Sequence, residues 1–197
     1  FASFNNPAKL NDGVIGLWAE VLKSVPGSRL VLKYMNWYEQ ASLRDRLIDQ
    51  FATGGIGSER LVFVAILDTI NEHLGHYGEV DIALDPFPFN GATTTFQALW
   101  MGVPVVSLAG ETFISRAAGS LLHQVCLGDL TVNTPKSYVD CARDLAGNLE
   151  QLRILRANLR ERMTASPLCN APAYALSVEA AYRDMWGRWC AEQENTP

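Results

Sequence analysis

The chain has 197 residues, 48% of them hydrophobic, which is enough for one substantial core with an appended helical segment. Its net charge of −5 and pI near 5.2 argue against general affinity for nucleic acid or anionic membranes, because either partner requires a basic surface excess. No apolar run approaches the roughly 18 residues that span a bilayer, and FASFNNPAKL has no export signal, so we expect a soluble, cytoplasmic protein.

The beginning of the chain and its cysteines lead to two further expectations. The chain lacks an initiator methionine and opens in what reads as the middle of a strand, so we interpret it as a piece of something longer. Its cysteines are widely spaced, with no C-x-x-C pair and no histidine at ligand spacing, which argues against a zinc site. Reduced thiols are expected at Cys126, Cys141, Cys169 and Cys190.

The first two thirds of the chain alternate β-rich runs with helical periodicity. Predicted strands are 1–4, 29–34, 60–66, 82–84 and 103–108, and predicted helices are 11–24, 40–52, 68–77, one from Thr93 and one from about Thr112. Strands separated by helical stretches of about 10 to 15 residues require crossover connections, hence a parallel sheet covered on both faces. We therefore predict a doubly wound α/β fold, in which ligands lie beyond the carboxyl ends of the strands.

The pattern changes after Pro135. A helix capped by Ser137 is predicted to run to about Met163, and its arginines (Arg153, Arg156, Arg160 and Arg162) read as a solvated face because their spacing spreads them around the helix. A last helix, from about Tyr174 to Ala191, carries an apolar stripe that we expect in the core. Alternatively, its two tryptophans, Trp186 and Trp189, pack on a domain outside this chain.

Residues 81–116, DIALDPFPFNGATTTFQALWMGVPVVSLAGETFISR, hold the strongest local signal. A short buried strand leads through a turn containing Asn90 and Gly91 into a helix that opens on three threonines. The unpaired N–H groups and the dipole of a helix start favour a bound anion, so we predict a phosphate site near Thr93 and Thr94. The alternative is an ordinary capped helix start, since neither G-x-G-x-x-G nor a P-loop lysine is present.

Several chemistry-bearing residues follow predicted strands and should meet at one edge of the sheet. They are Lys9 after the first strand, His73 and His76 after the third, Thr93 and Thr94 after the fourth, and Glu111 and Thr112 after the fifth. Lys9 can neutralise a diphosphate or be an ordinary surface lysine.

The two histidines and the acid also have alternative roles. His73 and His76 are three residues apart and share a helix face, where they can stack on a base, bind phosphate, do acid–base work or act as capping and surface residues. Glu111 is either a ligand contact or a first-turn acid that interacts with its own helix dipole.

These residues resemble a known family. The segment LDPFPFNGATTTFQALWMGVPVVSLAGETFISR, with FNNPAK upstream and SPLCN downstream, closely resembles the carboxyl-terminal part of the O-linked N-acetylglucosamine transferases, including SPINDLY-like bacterial proteins usually preceded by tetratricopeptide repeats. The similarity runs from Phe4 to Trp189. The pattern D-x-x-L-D-x-x-x-x-N-G-x-T-T, L-W-x-G-x-P-x-V and G-E-x-x-x-S-R is specific to that group.

The resemblance implies the carboxyl-terminal, nucleotide-sugar-binding half of a GT-B glycosyltransferase. Residues 1–134 would form a Rossmann-like UDP-sugar-binding domain, and 135–197 a helical segment packed on it. Such enzymes use UDP-GlcNAc as substrate, need no metal or other cofactor, and glycosylate Ser or Thr of proteins. Carried over by position, Lys9 would hold the diphosphate and act in catalysis. The other UDP-sugar contacts would be Asn6, His73, His76, Asn90, Gly91, Thr93, Thr94, Gln97 and Glu111.

The chain departs from the animal enzymes at four positions. Where this chain has Ala92, these enzymes have histidine, and where it has Gln97 they have aspartate. They have arginine at the position of His76 and a catalytically important lysine at the position of Ile70. The acceptor groove would belong to the amino-terminal half, so the fragment alone should not turn over. A non-catalytic nucleotide-binding or scaffold module, and a transferase for another UDP-hexose or a non-protein acceptor, remain alternatives.

Overall fold

The computed structural model describes residues 1–65 and 69–194 as an α/β fold built on one parallel sheet. The six strands are β1 (Ala2–Ser3), β2 (Leu30–Lys33), β3 (Leu61–Val64), β4 (Ala83–Leu84), β5 (Val105–Leu108) and β6 (Thr131–Val132). Their order, β3-β2-β1-β4-β5-β6, reverses direction between β1 and β4, which makes this the doubly wound topology. The predicted fold class is confirmed.

The described residues include eight α-helices. They are α1 (Asp12–Ser24), α2 (Ala41–Thr53), α3 (Ile70–Gly75), α4 (Thr93–Trp100), α5 (Ala117–Gln124), α6 (Pro135–Gly147), α7 (Leu149–Ala165) and α8 (Ala171–Glu194). Helix α1 packs against α2 and α6, and α4 packs against α5 and α7. Several of these helices have an N-terminal side-chain cap. Asn11, for example, accepts a hydrogen bond from the Val14 N–H at 3.0 Å.

Polar side chains tie the core to the end of strand β4. Trp18 of α1 and Tyr138 of α6 are both fully buried, and the Trp18 indole N–H donates to the Tyr138 hydroxyl at 3.2 Å. The Tyr138 hydroxyl donates in turn to the Asp85 carbonyl at 3.1 Å. Because buried polar groups are costly unless paired, this chain of hydrogen bonds holds α1, α6 and the residue after β4 in one arrangement.

Several predicted boundaries were wrong. The predicted helix 137–163 is two helices, because Gly147 ends α6 and the Asn148 side chain caps α7 by accepting from the Gln151 N–H. Thr134, rather than Ser137, caps α6. Strand β6 was missed, since its two residues are too few for a hydrophobic pattern. The predicted ends 66 and 68 of two elements lie outside the described residues.

The arginines of α7 do not form the uniform solvated face that we predicted. Arg156 donates to the carbonyls of Tyr77, Gly78 and Val80 at 2.7 to 3.0 Å, and Arg160 donates to the Trp100 carbonyl at 3.0 Å. Local spacing cannot reveal these bonds, because their acceptors are about 60 to 79 residues away in sequence.

The apolar stripe of α8 is not in the core, contrary to our expectation. Six of its large apolar side chains are between 48% and 71% exposed: Tyr174, Leu176, Tyr182, Met185, Trp186 and Trp189. The indole rings of Trp186 and Trp189 stack on each other with centroids 5.0 Å apart. No described element covers this stripe.

Within the described ranges, no helix has the length and apolar character needed to cross a membrane.

The turn between α4 and β5 depends on a glycine, and replacing it should be costly. Gly102 has φ +83°, and a Cβ built there would lie 2.7 Å from the backbone oxygen of Arg156. We expect Gly102→Ala to lower the free energy of unfolding by about 3 kcal/mol, from left-handed strain plus the clash. Urea denaturation of the wild type and the variant, analysed with one m-value for both, measures this loss of stability.

A second glycine provides the matched control for that measurement. Gly16 lies exposed in α1, and a Cβ built there meets nothing within 4 Å. Gly16→Ala should therefore stabilise the protein by about 0.5–1 kcal/mol. Equal stability of the two variants would contradict the assignment of Gly102 to a strained turn.

Candidate functional site

A cavity of about 920 Å³ opens beyond the carboxyl ends of β1, β2 and β4. Its position is the point where the strand order reverses, which is where doubly wound sheets bind ligands, and its volume suits a small organic molecule. Seven of the predicted site residues line it: Asn6, Lys9, His73, Asn90, Thr93, Thr94 and Gln97. The structure therefore brings together residues that are up to 91 positions apart in the printed sequence.

Lys9 is the cation at one wall of this cavity. It ends a 3-10 turn, Pro7–Lys9, and its half-buried ammonium donates to the Asn90 carbonyl at 2.9 Å and to Asn5 Oδ1 at 3.3 Å. The ammonium also lies 4.3 Å from the centroid of the Phe89 ring. Burial lowers the pKa of Lys9, and the nearby Asp85 carboxylate partly opposes that shift.

Asn5 joins Lys9 to the start of helix α4. Its Oδ1 atom accepts from the Lys9 ammonium and, at 2.9 Å, from the Thr94 hydroxyl. The amine and the first turn of the helix therefore share one acceptor atom and are close together. Sequence reasoning missed Asn5, although its place directly after a predicted strand was a usable signal.

The start of α4 has no side-chain cap. Ala92 stands before the first helical residue and has no oxygen to accept from the first-turn N–H groups. Thr93 is exposed and lines the cavity, while the Thr94 hydroxyl is already used by Asn5. The uncapped amides and the positive end of the helix dipole thus remain available to an anion in the cavity.

The turn before α4 is shaped by Gly91 and a buried carboxyl group. The Gly91 N–H donates to Asp85 Oδ1 at 2.6 Å, and the Ser107 hydroxyl donates to Asp85 Oδ2 at 2.7 Å. A Cβ at Gly91 would lie 2.6 Å from the Thr94 hydroxyl oxygen, so only glycine fits this approach. Burial raises the pKa of Asp85 to about 7, against the lowering effect of these two hydrogen bonds and of Lys9.

Every polar group of Asn90 except its side-chain oxygen is hydrogen-bonded within the protein. Its N–H donates to the Ile114 carbonyl at 3.0 Å, its side-chain amide donates to the Pro86 carbonyl at 3.0 Å, and its own carbonyl accepts from Lys9. Its buried Oδ1 atom has no hydrogen-bond partner among the described residues. Asn90 therefore shapes the site mainly through its backbone.

The opposite wall of the cavity contains a hydrogen-bonded group that the sequence only partly predicted. The Lys33 ammonium contacts His73 Nδ1, and His73 Nε2 lies 3.2 Å from Gln97 Oε1. Burial lowers the pKa of His73, and Lys33 and His76 lower it further, against the raising effect of Gln97. Lys33 was read only as part of a β-rich run, because nothing in that run showed that its side chain would be buried at the cavity.

Three other predicted residues are not part of the cavity wall, and Asn6 has a second role. His76 stacks on Phe4 with ring centroids 6.1 Å apart and lies 3.7 Å from a Glu79 carboxylate oxygen. Glu111 is exposed, Gly91 is buried, and neither lines the cavity. Asn6 does line it, but its Oδ1 atom caps the 3-10 turn by accepting from the Ala8 N–H at 2.9 Å.

Comparison with known proteins identifies the family of this chain. The sequence profile of glycosyl transferase family 41 matches residues 1–178. The chain belongs to this family. The resemblance on which the predicted site was based is thus confirmed at the level of the family.

Relatives of this family-41 chain cover nearly all of it. It is 40% identical over 96% of its length to the probable UDP-N-acetylglucosamine–peptide N-acetylglucosaminyltransferase SPINDLY of Arabidopsis thaliana, and 31% identical over 98% to the probable transferase SEC of the same plant. A lysine-to-methionine mutant of the Thermobaculum terrenum O-GlcNAc transferase superposes with a TM-score of 0.91 at 33% identity, covering 98% of this chain. The family-41 chain spans 21% and 19% of the two plant relatives and 37% of the bacterial structure's chain.

Proposed function

We propose that this chain is the nucleotide-sugar-binding half of a protein O-glycosyltransferase that transfers N-acetylglucosamine from UDP-GlcNAc to Ser or Thr. The observation that carries the proposal is the shared hydrogen bonding of Lys9 and Thr94 to Asn5. This contact places an ammonium beside an uncapped helix start at the switch point of the sheet. A diphosphate is the ligand that such a combination of a cation and free amides suits best.

The same groups suggest how the chain assists the transfer. The acceptor hydroxyl oxygen bonds to the anomeric carbon, the bond from that carbon to the β-phosphate oxygen breaks, and UDP leaves with the bonding electron pair. The hydroxyl proton goes to a base in the amino-terminal half. Negative charge grows on the leaving diphosphate, where Lys9 and the amides of α4 stabilise it more in the transition state than in the ground state.

The remaining contacts and partners belong to the same proposal. Asn6, His73, Asn90, Thr93 and Gln97 surround the UDP-sugar. His76, Gly91 and Glu111 act on it indirectly, through packing or the fold of the turns. The acceptor protein binds through the amino-terminal half and tetratricopeptide repeats of a bacterial, cytoplasmic enzyme. Neither metal, nucleic acid nor membrane takes part. Residues 1–134 form the UDP-sugar-binding domain, and 135–197 its helical appendage.

Titration of UDP into the 197-residue chain by isothermal calorimetry tests the binding step. We expect saturable binding at one site per chain, because the cavity holds one diphosphate position. The absence of any heat of binding at millimolar UDP, in a sample shown to be folded by circular dichroism, would overturn the proposal.

A non-catalytic module is distinguished from a transferase by the longer protein that contains this chain. Incubation with radiolabelled UDP-GlcNAc, UDP-glucose and UDP-galactose should label acceptor protein from UDP-GlcNAc alone. Labelling from another donor would identify a different UDP-hexose, and UDP binding without any transfer would identify a scaffold.

A further inference from the structure

Lys33 is a buried cation without a carboxylate partner in the described part of the chain. It is the last residue of β2, is only 3% exposed, and lines the same cavity as Lys9. A buried lysine is usually paired with an acid, because an unpaired buried charge is expensive. The Lys33 ammonium instead contacts His73 Nδ1, and the centroid of the Phe4 ring lies 5.1 Å from it.

The chemistry of an ammonium sets the direction of this contact. An ammonium donates three hydrogen bonds and accepts none, so His73 Nδ1 must be the acceptor and carries no proton. The ring is then neutral with its proton on Nε2, and that N–H donates to Gln97 Oε1 at 3.2 Å. The downward shift of the His73 pKa, caused first by burial and then by Lys33 and His76, agrees with a neutral ring.

The donor-to-acceptor direction of these hydrogen bonds continues from His73 through Gln97 to the cavity. Its carbonyl oxygen is taken by His73, so its NH₂ group is the part of the amide that stays free. Gln97 lines the cavity, and among the described residues no acceptor is bonded to that NH₂ group. Because this NH₂ group is open to the cavity and can only donate, a ligand bound there meets a donor and is favoured if it presents an atom that accepts a hydrogen bond.

We propose that Lys33 is a positioning residue: it orders the donors along Lys33, His73 and Gln97, so that position 97 presents only a hydrogen-bond donor to the nucleotide. The group recognised there is an oxygen with free lone pairs, such as a ribose hydroxyl oxygen or a phosphate oxygen. The identity of the ligand rests on the proposed function, but the order of the donors does not.

The state of the His73 ring tests the order of donors without any ligand. The chain has three histidines, so long-range ¹H–¹⁵N spectra of ¹⁵N-histidine-labelled protein are readily assigned with a His76→Gln and a His123→Gln variant. We expect a neutral Nε2–H ring for His73 at neutral pH, because its pKa is lowered and Nδ1 accepts from Lys33. The groups that face it are Lys33 from β2, Phe4 beyond β1, His76 and Tyr77 after α3, and Gln97 from α4.

Removing the Lys33 ammonium should release the His73 ring. In Lys33→Met we expect the Nδ1–H tautomer to appear and the ring to protonate at a higher pH, because a donor and a repelling charge are both lost. Lys33→Arg keeps both and should restore the wild-type spectrum. An Nδ1–H ring in the wild type, or an unchanged ring in a folded Lys33→Met variant, would overturn the proposal.

UDP affinity tests the consequence at position 97. Gln97→Glu still accepts from His73 but replaces the free NH₂ with an oxygen, so we expect UDP binding to weaken about 30-fold. Lys33→Met should weaken it about 10-fold, whereas Lys136→Met, which removes an exposed lysine far along the chain, should leave it unchanged. Wild-type affinity in Gln97→Glu would refute donor-only recognition. If the wild type does not bind UDP, the proposed function fails, while the spectra still decide the order of donors.

Discussion

Replacing Lys9 with alanine is expected to weaken UDP binding to this chain by about 100-fold, equivalent to roughly 3 kcal/mol. The lysine is held in place by Asn5, Asn90 and the Phe89 ring, so little side-chain entropy is lost when it meets a diphosphate. Calorimetric titration of UDP into wild type and variant measures the loss. Because the cost is in a charge-assisted contact, it should shrink as the salt concentration rises.

Two variants check that this loss is specific. Lys9→Arg keeps the charge but not the compact ammonium geometry, and should recover part of the affinity. Lys136→Met removes one positive charge at an exposed, ion-paired position and should change nothing. If Lys9→Ala binds UDP as tightly as Lys136→Met does, the diphosphate does not lie beside Lys9 and the proposed site is wrong.

The buried carboxyl group of Asp85 should make the protein less stable as the pH rises from about 4 to 8. Its pKa is raised to about 7 in the folded state from a reference of 3.8, mainly by burial. Between these values the folded state holds a proton that the unfolded state has released, so the free energy of unfolding falls with increasing pH. The full interval corresponds to a loss on the order of 4 kcal/mol from this one group.

Comparison with Asp85→Asn isolates that contribution. The amide offers an oxygen to the Gly91 N–H and an N–H to the Ser107 oxygen, as a protonated acid does with its O–H, and the Ser107 hydroxyl then accepts where it donates to the ionised carboxylate. Urea denaturation should give similar stabilities at pH 5 and a more stable variant at pH 8. Other carboxyl groups titrate equally in both proteins. Parallel pH profiles for wild type and Asp85→Asn would contradict the raised pKa.

The fold was predictable to the extent that it depended on local pattern. Apolar β-rich runs alternating with helical periodicity were sufficient for the doubly wound sheet, because crossover connections of that length leave few other arrangements. Strand β6 was not predictable, since two residues carry no periodicity. The split between α6 and α7 was also missed, although Gly147 and Asn148 are residue types that commonly end and cap helices, because the periodicity of apolar residues continues across them.

Part of the candidate site was predictable from residues that follow strands, and other residues of it only from the family resemblance. Lys9, Thr93 and Thr94 were selected on the first basis, and they line the cavity together. Asp85 and Lys33 were not selected, although both are almost fully buried beside the site. Their importance comes from burial and from distant partners, such as Ser107 and His73, which no local spacing reveals.

By itself, the sequence determined the order of the first five strands and the helices between them, the placing of hydroxyl, amide and amine groups after strand ends, and the family motif that these groups form. Only the tertiary structure decided which of those groups share a hydrogen bond. It showed that Asn5 links Lys9 to helix α4, and that the Lys33 ammonium contacts His73 Nδ1. The reason is physical: hydrogen-bond direction, burial and pKa depend on neighbours across the fold, whereas periodicity reports only neighbours along the chain.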